Sequence, residues 1–417
     1  MPFKPSARVA NAARALVLAL AAGAALPAHS QPTDAFTPRL TTPRLAPVKP
    51  EDRTPAQKAM LEKRADANIF KTLAHHPGFY MGAWTPLAGY LFNGSTLPPR
   101  EREIVMLRMG WLCQSEYEWA QHARIAKSVG VTEAEVQRIA LGPDAAGWSD
   151  FDRALLRMAH EVRYDGMVSD ATWKALRTKY SDQEVVESML TAAQYLQVSM
   201  VLNSLGIQLD PDLDDRLPRN LKLPALAARP ASPRLSTPRI KALMQADMTP
   251  QQRELVKPQT SDGVVPHLYA TLASYPKLYG PYLAFDTYMQ RDGLIPAKAR
   301  ELLSLRTAWN LRDAYGWAHH AMAAKAAGLT EAEVARIAKG SSASGWSEAQ
   351  AALLSAADQL HREAFIPDAT WLVLAKHYNM QQLVEIICTV GMHALASAAN
   401  NSIGVQLEPG MPAMPSG

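Results

Sequence analysis

The sequence predicts an all-α fold, built as two tandem homologous helical bundles. Three observations carry that prediction. Helix start and stop signals recur along the chain, no sustained period-two alternation marks a strand, and the second half repeats the first. From Pro98 onward the repeat holds a constant offset of 198, which lays Trp111 on Trp309, Tyr117 on Tyr315, Trp119 on Trp317, His122 on His320, Trp173 on Trp371, Asn203 on Asn401 and Gly206 on Gly404. Upstream, Thr42-Pro43-Arg44-Leu45 is answered by Thr237-Pro238-Arg239-Ile240. A unit of about 170 residues is too long for a solenoid, so the expected organisation is two domains, residues 42–210 and 237–408.

Taken in order, the chain opens with Lys4, Arg8 and Arg14 ahead of an apolar run from Ala15 to Ala25, followed by the small residues of Ala28-His29-Ser30. That layout predicts a secretory signal peptide over residues 1–30 and export, most simply to a bacterial periplasm. Leu97-Pro98-Pro99 and the acid, base and apolar run after it predict a proline-initiated helix. Gly130 stops a helix, and Thr132 with Glu135 forms the capping box of the next. Further starts fall at Ser149, at Ser169 and at Ser181 with Glu184, the last helix running to about Leu205. Residues 211–236 are proline-rich and read as a linker, and the tail after Glu408 has the same character.

Composition narrows the function classes. The chain carries +4, but the three basic residues of positions 1–30 leave the remainder near +1. A nearly neutral protein offers no electrostatic case for nucleic acid or an anionic membrane surface. After the leader, no segment reads as the roughly 20 apolar residues of a membrane helix. Cys113 and Cys388 are the only cysteines, which excludes a disulfide scaffold, a Cys-x-x-Cys redox pair and a cysteine-rich metal site.

The stretch with chemical potential is Glu103–His122, whose copy is Glu301–His320. Glu118 and His122 are four apart on a helix and share a face, an arrangement in which each group tunes the other's proton affinity. Ser115 lies two turns before His122, and Glu103 reaches the histidine if the helix breaks near Gly110. Tyr117, Trp119 and the apolar run Ile104-Val105-Met106-Leu107 argue that this helix is buried, and buried ionisable groups need a reason. Glu103, Glu118 and His122 suit a first-row cation by type, but the Glu-x-x-His repeats of di-iron bundles are missing, so no metal is expected.

The run Leu107-Arg108 followed by Trp111-Leu112-Cys113-Gln114-Ser115-Glu116-Tyr117-Glu118-Trp119-Ala120-Gln121-His122, with Leu202-Asn203-Ser204-Leu205-Gly206 downstream, resembles the carboxymuconolactone decarboxylase family, within the alkylhydroperoxidase D-like superfamily. The resemblance implies the helical-bundle fold of that superfamily. In its peroxidase branch a glutamate, two cysteines and a histidine form the site. Glu103 and His122 match the outer pair, but Ser115 and Glu118 occupy the cysteine positions. A thiol–disulfide cycle needs both sulfurs, so peroxidase activity is disfavoured. The decarboxylase branch uses neither thiols nor cofactor. By that resemblance His122 and Glu118 are acid/base residues acting on a small organic acid or lactone, with Glu103 orienting the histidine. Arg108, Arg124 and Tyr117 are candidates to hold the substrate. Relatives of this kind imply oligomers, here a trimer of pseudo-dimers. A non-catalytic helical scaffold is the competing reading.

In the copy Ser115 becomes Asp313 and Glu118 becomes Gly316, while Glu301, His319 and His320 remain. The expectation is a degenerate second site that serves as a structural partner of the first.

Overall fold

The computed structural model describes residues 39–62, 64–218, 221–224, 235–261 and 263–415. The expected signal peptide and much of the linker lie outside them. Among the described residues helices account for the regular structure, and the only strand-like pairing is an isolated bridge between Ser261 and Val264. Residues 38–417 form one compact unit that contains both repeats.

In the first repeat, a helical run over residues 77–94 (α1) alternates α turns with π turns at Tyr80–Trp84 and Tyr90–Gly94. It is followed by α2 (Pro99–Leu112), α3 (Glu116–Ser128), α4 (Glu133–Leu141), α5 (Asp150–Asp165), α6 (Asp170–Leu176) and α7 (Asp182–Leu205). The second repeat has α8 (Pro276–Thr287), α9 (Ala297–Leu311), α10 (Ala314–Ala326), α11 (Glu331–Ile337), α12 (Glu348–Glu363), α13 (Asp368–His377) and α14 (Met380–Ile403). The capping chemistry is where the residues place it. Thr132 and Ser181 each accept from the backbone of a glutamate three residues on, whose carboxylate returns to the cap N–H. Gly206 and Gly404 end α7 and α14 in the left-handed region, at φ 67° and 76°.

The two longest helices, α7 and α14, pack against each other at the centre and are buried over nearly their whole length. By length and composition α14 could cross a membrane, which corrects the expectation that no such segment follows the leader. The most apolar window of α14 is 89% buried inside the protein, the position of a core helix.

The repeats grip one another reciprocally. Arg44, at the start of the first repeat, donates to the carbonyls of Ser204 and Ile366, each at 2.8 Å, and lies 4.6 Å over the Trp371 ring of the second. Arg239 mirrors it, donating at 2.8 Å to the carbonyls of Val168 and Ser402, 4.8 Å over Trp173. The repeated Thr-Pro-Arg motif is thus a cation–π clasp in each direction. Asn203 bridges the carbonyls of Cys113 and Ala364, and Asn401 those of Leu311 and Gly166. The chain is an intramolecular pseudo-dimer.

Candidate functional site

The Glu103–His122 stretch is two helices rather than one. α2 ends at Leu112, Gln114 turns the chain through φ 53°, and Ser115 is the N-cap of α3. Arg312 does the same in the copy at φ 57°. A non-glycine residue in the left-handed region carries a local cost and persists only where the surrounding packing fixes it. The turn folds α3 back on α2 and brings together residues nineteen apart: His122 Nδ1 is 2.7 Å from Glu103 Oε2. The break thus falls at residues 113–115, not near Gly110. Gly110 has another task, since a Cβ there would stand 3.3 Å from Glu118 Oε1.

The expected Glu118–His122 pair is replaced by two separate engagements. Both side chains face α7, which runs antiparallel to α3, so a four-residue step on one helix meets a four-residue step on the other. Ser199 Oγ donates to Glu118 Oε2 at 2.7 Å, and the Tyr195 ring stands edge-on to the His122 ring with centroids 4.8 Å apart. Glu103 is fully buried, Glu118 is 1% exposed and His122 8%. Burial pushes the Glu118 carboxyl well above its ordinary range, and the Ser199 hydroxyl only partly offsets it, so the neutral acid is favoured. Burial, then the Glu103 and Glu118 carboxylates, likewise hold the Tyr195 phenol protonated.

With Nδ1 tied to Glu103, the imidazole has Nε2 left for exchange, the geometry of an oriented acid/base histidine. Arg102 completes the group: its Nε is 3.5 Å from Glu103 Oε1 and its guanidinium lies 4.8 Å over Phe92, which in turn packs on His122.

Several expected residues are engaged elsewhere. Ser115 is fully buried, but its hydroxyl has no hydrogen-bond partner among the described residues, His122 included. Arg108 donates to the carbonyls of Ile139 and Ala140 at 2.9 and 3.0 Å, tying α2 to the end of α4. Arg124 is half-exposed and pairs with Asp212 at 2.6 Å. Tyr117 donates to Asp210 at 2.5 Å and receives the Ile69 N–H, which fixes the chain after α7. Arg108 and Tyr117 tie the fold together and Arg124 is spent on a surface pair, so Arg102 is the cation beside the dyad. Cys113 is buried, and burial pushes its thiol up to about 11, away from a reactive thiolate. Among the described residues no three His, Cys, Asp or Glu side chains converge as a metal ligand set.

The copy keeps the dyad, with His320 Nδ1 2.8 Å from Glu301 Oε2 and Arg300 Nε 3.2 Å from Glu301 Oε1. His319 faces elsewhere, 3.1 Å from Glu408. The carboxylate near the serine is also present, on another residue. Asp313 Oδ2 accepts from Ser397 Oγ at 2.9 Å, and Ser397 is the equivalent of Ser199. Gly316 makes the room, since a Cβ there would lie 2.3 Å from Asp313 Oδ2. Tyr195 is replaced by His393, whose ring is edge-on to His320 at 4.4 Å. Arg102, Tyr195 and Ser199 escaped the sequence reading, although the 198 offset pairs Arg102 with Arg300 and Ser199 with Ser397.

Fold and site together define a duplicated helical protein with one buried Glu–His dyad in each unit. The model of the carboxymuconolactone decarboxylase family matches residues 80–161 and 276–359, one region per repeat, in keeping with a tandem duplication of a domain of that family. Among solved structures, the chain is similar to a cysteine-to-alanine variant of the debrominase Bmp8 in complex with 2,3,4-tribromopyrrole, at 15% identity and a TM-score of 0.36, over 42% of this chain and 94% of that one. No curated protein matches significantly.

Proposed function

We propose that the first repeat is a thiol-independent acid/base enzyme acting on a small organic acid or lactone, and that the protein works outside the cytoplasm. The observation that carries the catalytic reading is the buried Glu103–His122 contact at 2.7 Å, with the Glu118 carboxyl one turn away. In a decarboxylation, the carbon–carboxylate bond breaks, its electron pair passes into an enolate, and a proton must be returned to carbon. His122 Nε2, with its other nitrogen held by Glu103, delivers that proton. Glu118, held neutral by burial, donates a hydrogen bond to the developing oxyanion. Arg102 is the cation available to a substrate carboxylate. The chemistry is redox-neutral and draws on nothing beyond these side chains. The export reading rests on the Lys4–Ser30 layout.

The test is a screen of the purified protein against lactones, β-keto acids and hydroperoxides, with His122→Ala beside it. Turnover of a lactone or keto acid that His122→Ala abolishes, with an unchanged melting temperature, supports the reading. Turnover that survives the substitution, or that is confined to hydroperoxides, overturns it.

A further inference from the structure

The helix ahead of the dyad differs between the repeats by one residue. From Pro77 to Pro98 the first repeat is one residue longer than the second is from Pro276 to Pro296. The first repeat folds this segment with two π turns, Tyr80–Trp84 and Tyr90–Gly94. Among the described residues the copy has one there, Tyr288–Asp292, the counterpart of the latter. A π turn closes a hydrogen-bonded ring one residue larger than an α turn does, so it absorbs an insertion without ending the helix, and such turns concentrate at functional sites. The Tyr90–Gly94 turn carries the ring that packs on His122.

One carboxylate pins that turn at both ends. Glu187 of α7, fully buried, accepts from the Tyr90 hydroxyl at 2.6 Å, from the Thr96 N–H and hydroxyl at 2.7 and 2.6 Å, and from Gln183 at 2.8 Å. Gly94 lets the Tyr90 ring lie close, since a Cβ there would stand 3.0 Å from it. The turn so held presents Phe92, whose ring stands at 84° to the imidazole with centroids 6.2 Å apart and has the Arg102 guanidinium 4.8 Å over it. Glu103, Tyr195 and Arg102, the other groups around the histidine, are each less than a tenth exposed. Phe92 is half-buried, and Asn93 and Gly94 beside it are exposed, so Phe92 marks the open side of the dyad. In the copy Gln290 takes its place and is tied to Asp286 at 2.7 Å, so the aromatic cover belongs to the first repeat.

We infer that Phe92 decides by size which molecules reach His122 Nε2, and that Glu187 is the residue that positions it. The inference rests on the reading of His122 as the acid/base group of the first repeat. A half-buried ring held by dispersion and one cation–π contact is displaced at modest cost. The backbone that carries it is fixed by a buried carboxylate with four donors, which is costly to disturb. A displaceable ring on a fixed backbone filters what passes.

The test acylates the full chain with diethyl pyrocarbonate or with the bulkier di-tert-butyl dicarbonate. In both, an imidazole nitrogen bonds to a carbonyl carbon, the carbonate half leaves with its electron pair, and the ring loses its proton. Peptide mass spectrometry follows His122, with the exposed His377 as reference. In the wild type His122 should disfavour the bulky reagent, relative to His377, by roughly tenfold or more. Phe92→Ala should reduce that preference to within about threefold, and Phe92→Tyr should keep it. Glu187→Gln, or the milder Tyr90→Phe if that variant fails to fold, should move it in the same direction and add nothing to Phe92→Ala. Equal preferences in wild type and a folded Phe92→Ala, or Phe92→Val, overturn the filter. Additive effects in the double variant overturn the positioning role of Glu187. Acylation needs no turnover, so failure here is separable from failure of the proposed activity.

Discussion

The two repeats hold the same dyad in different surroundings. In the first, a long glutamate on the helix reaches Ser199, and Gly110 on the neighbouring helix makes room for it. In the second, a short aspartate at the helix cap reaches Ser397, and Gly316 on the same helix makes room. The difference shows that a position-by-position comparison can report a lost acid where the carboxylate has moved by one turn. The electrostatic outcome differs as well. Glu118 has one hydrogen bond and favours its neutral form, whereas Asp313 is bonded through both oxygens and also caps α10. One carboxyl is poised to donate. The other is structural.

The largest expected effect separates the halves outright. His122→Ala lowers turnover by about 10²–10⁴-fold, the usual worth of a positioned acid/base group, while His320→Ala leaves it within threefold. Steady-state assays on the substrate found in the screen decide this. Equal losses from both would break the distinction.

Much of this was legible in advance. The duplication and the helical class follow from caps and periodicity, which are local. The Glu103–His122 relation was visible in outline, but the break that allows it was expected near Gly110, because Gln114, not a glycine, takes the left-handed turn, and its residue type gives no signal of that. Tyr195 and Ser199 sit on a helix about eighty residues downstream, and only antiparallel packing of α7 on α3 brings them to the site. Arg108 and Arg124 attracted attention by charge alone, which cannot distinguish a substrate clamp from a carbonyl tether.

The next effect tests the relocated carboxylate. Gly316→Ala places a methyl against Asp313 Oδ2 and displaces it from Ser397 and Asn400, with an expected cost of about 2–3 kcal/mol by urea denaturation. Adding Asp313→Ser should recover most of that loss, because the clash disappears with the carboxylate. Additive losses in the double variant would show that the two positions are not coupled.

A smaller and opposite effect is expected at Glu118. Its folded form keeps the proton, while the unfolded chain releases it near the ordinary value of 4.5. Stability from this group is therefore complete below that value and declines as pH rises above it toward the raised folded value. Glu118→Gln removes the decline and should stabilise the protein at pH 7 while lowering turnover. The check is unfolding free energy against pH for both proteins. Parallel profiles would mean that Glu118 is ionised in the folded state.

The smallest effect concerns which cations belong to the sites. Arg102 and Arg300 each lie beside the dyad glutamate, and Arg108 and Arg306 each donate to two carbonyls at the end of the fourth helix of their repeat. Arg124 has no such twin, since the copy carries Met322, and its partner Asp212 is 69% exposed. An exposed pair of this kind contributes about 0–1 kcal/mol. Arg124→Ala should therefore leave stability within about 0.5 kcal/mol and kcat/KM unchanged, whereas Arg102→Gln raises KM. If Arg124→Ala instead raised KM, the substrate would reach the site across α3's outer face, and the cation shared by the two repeats would not be the one that receives it.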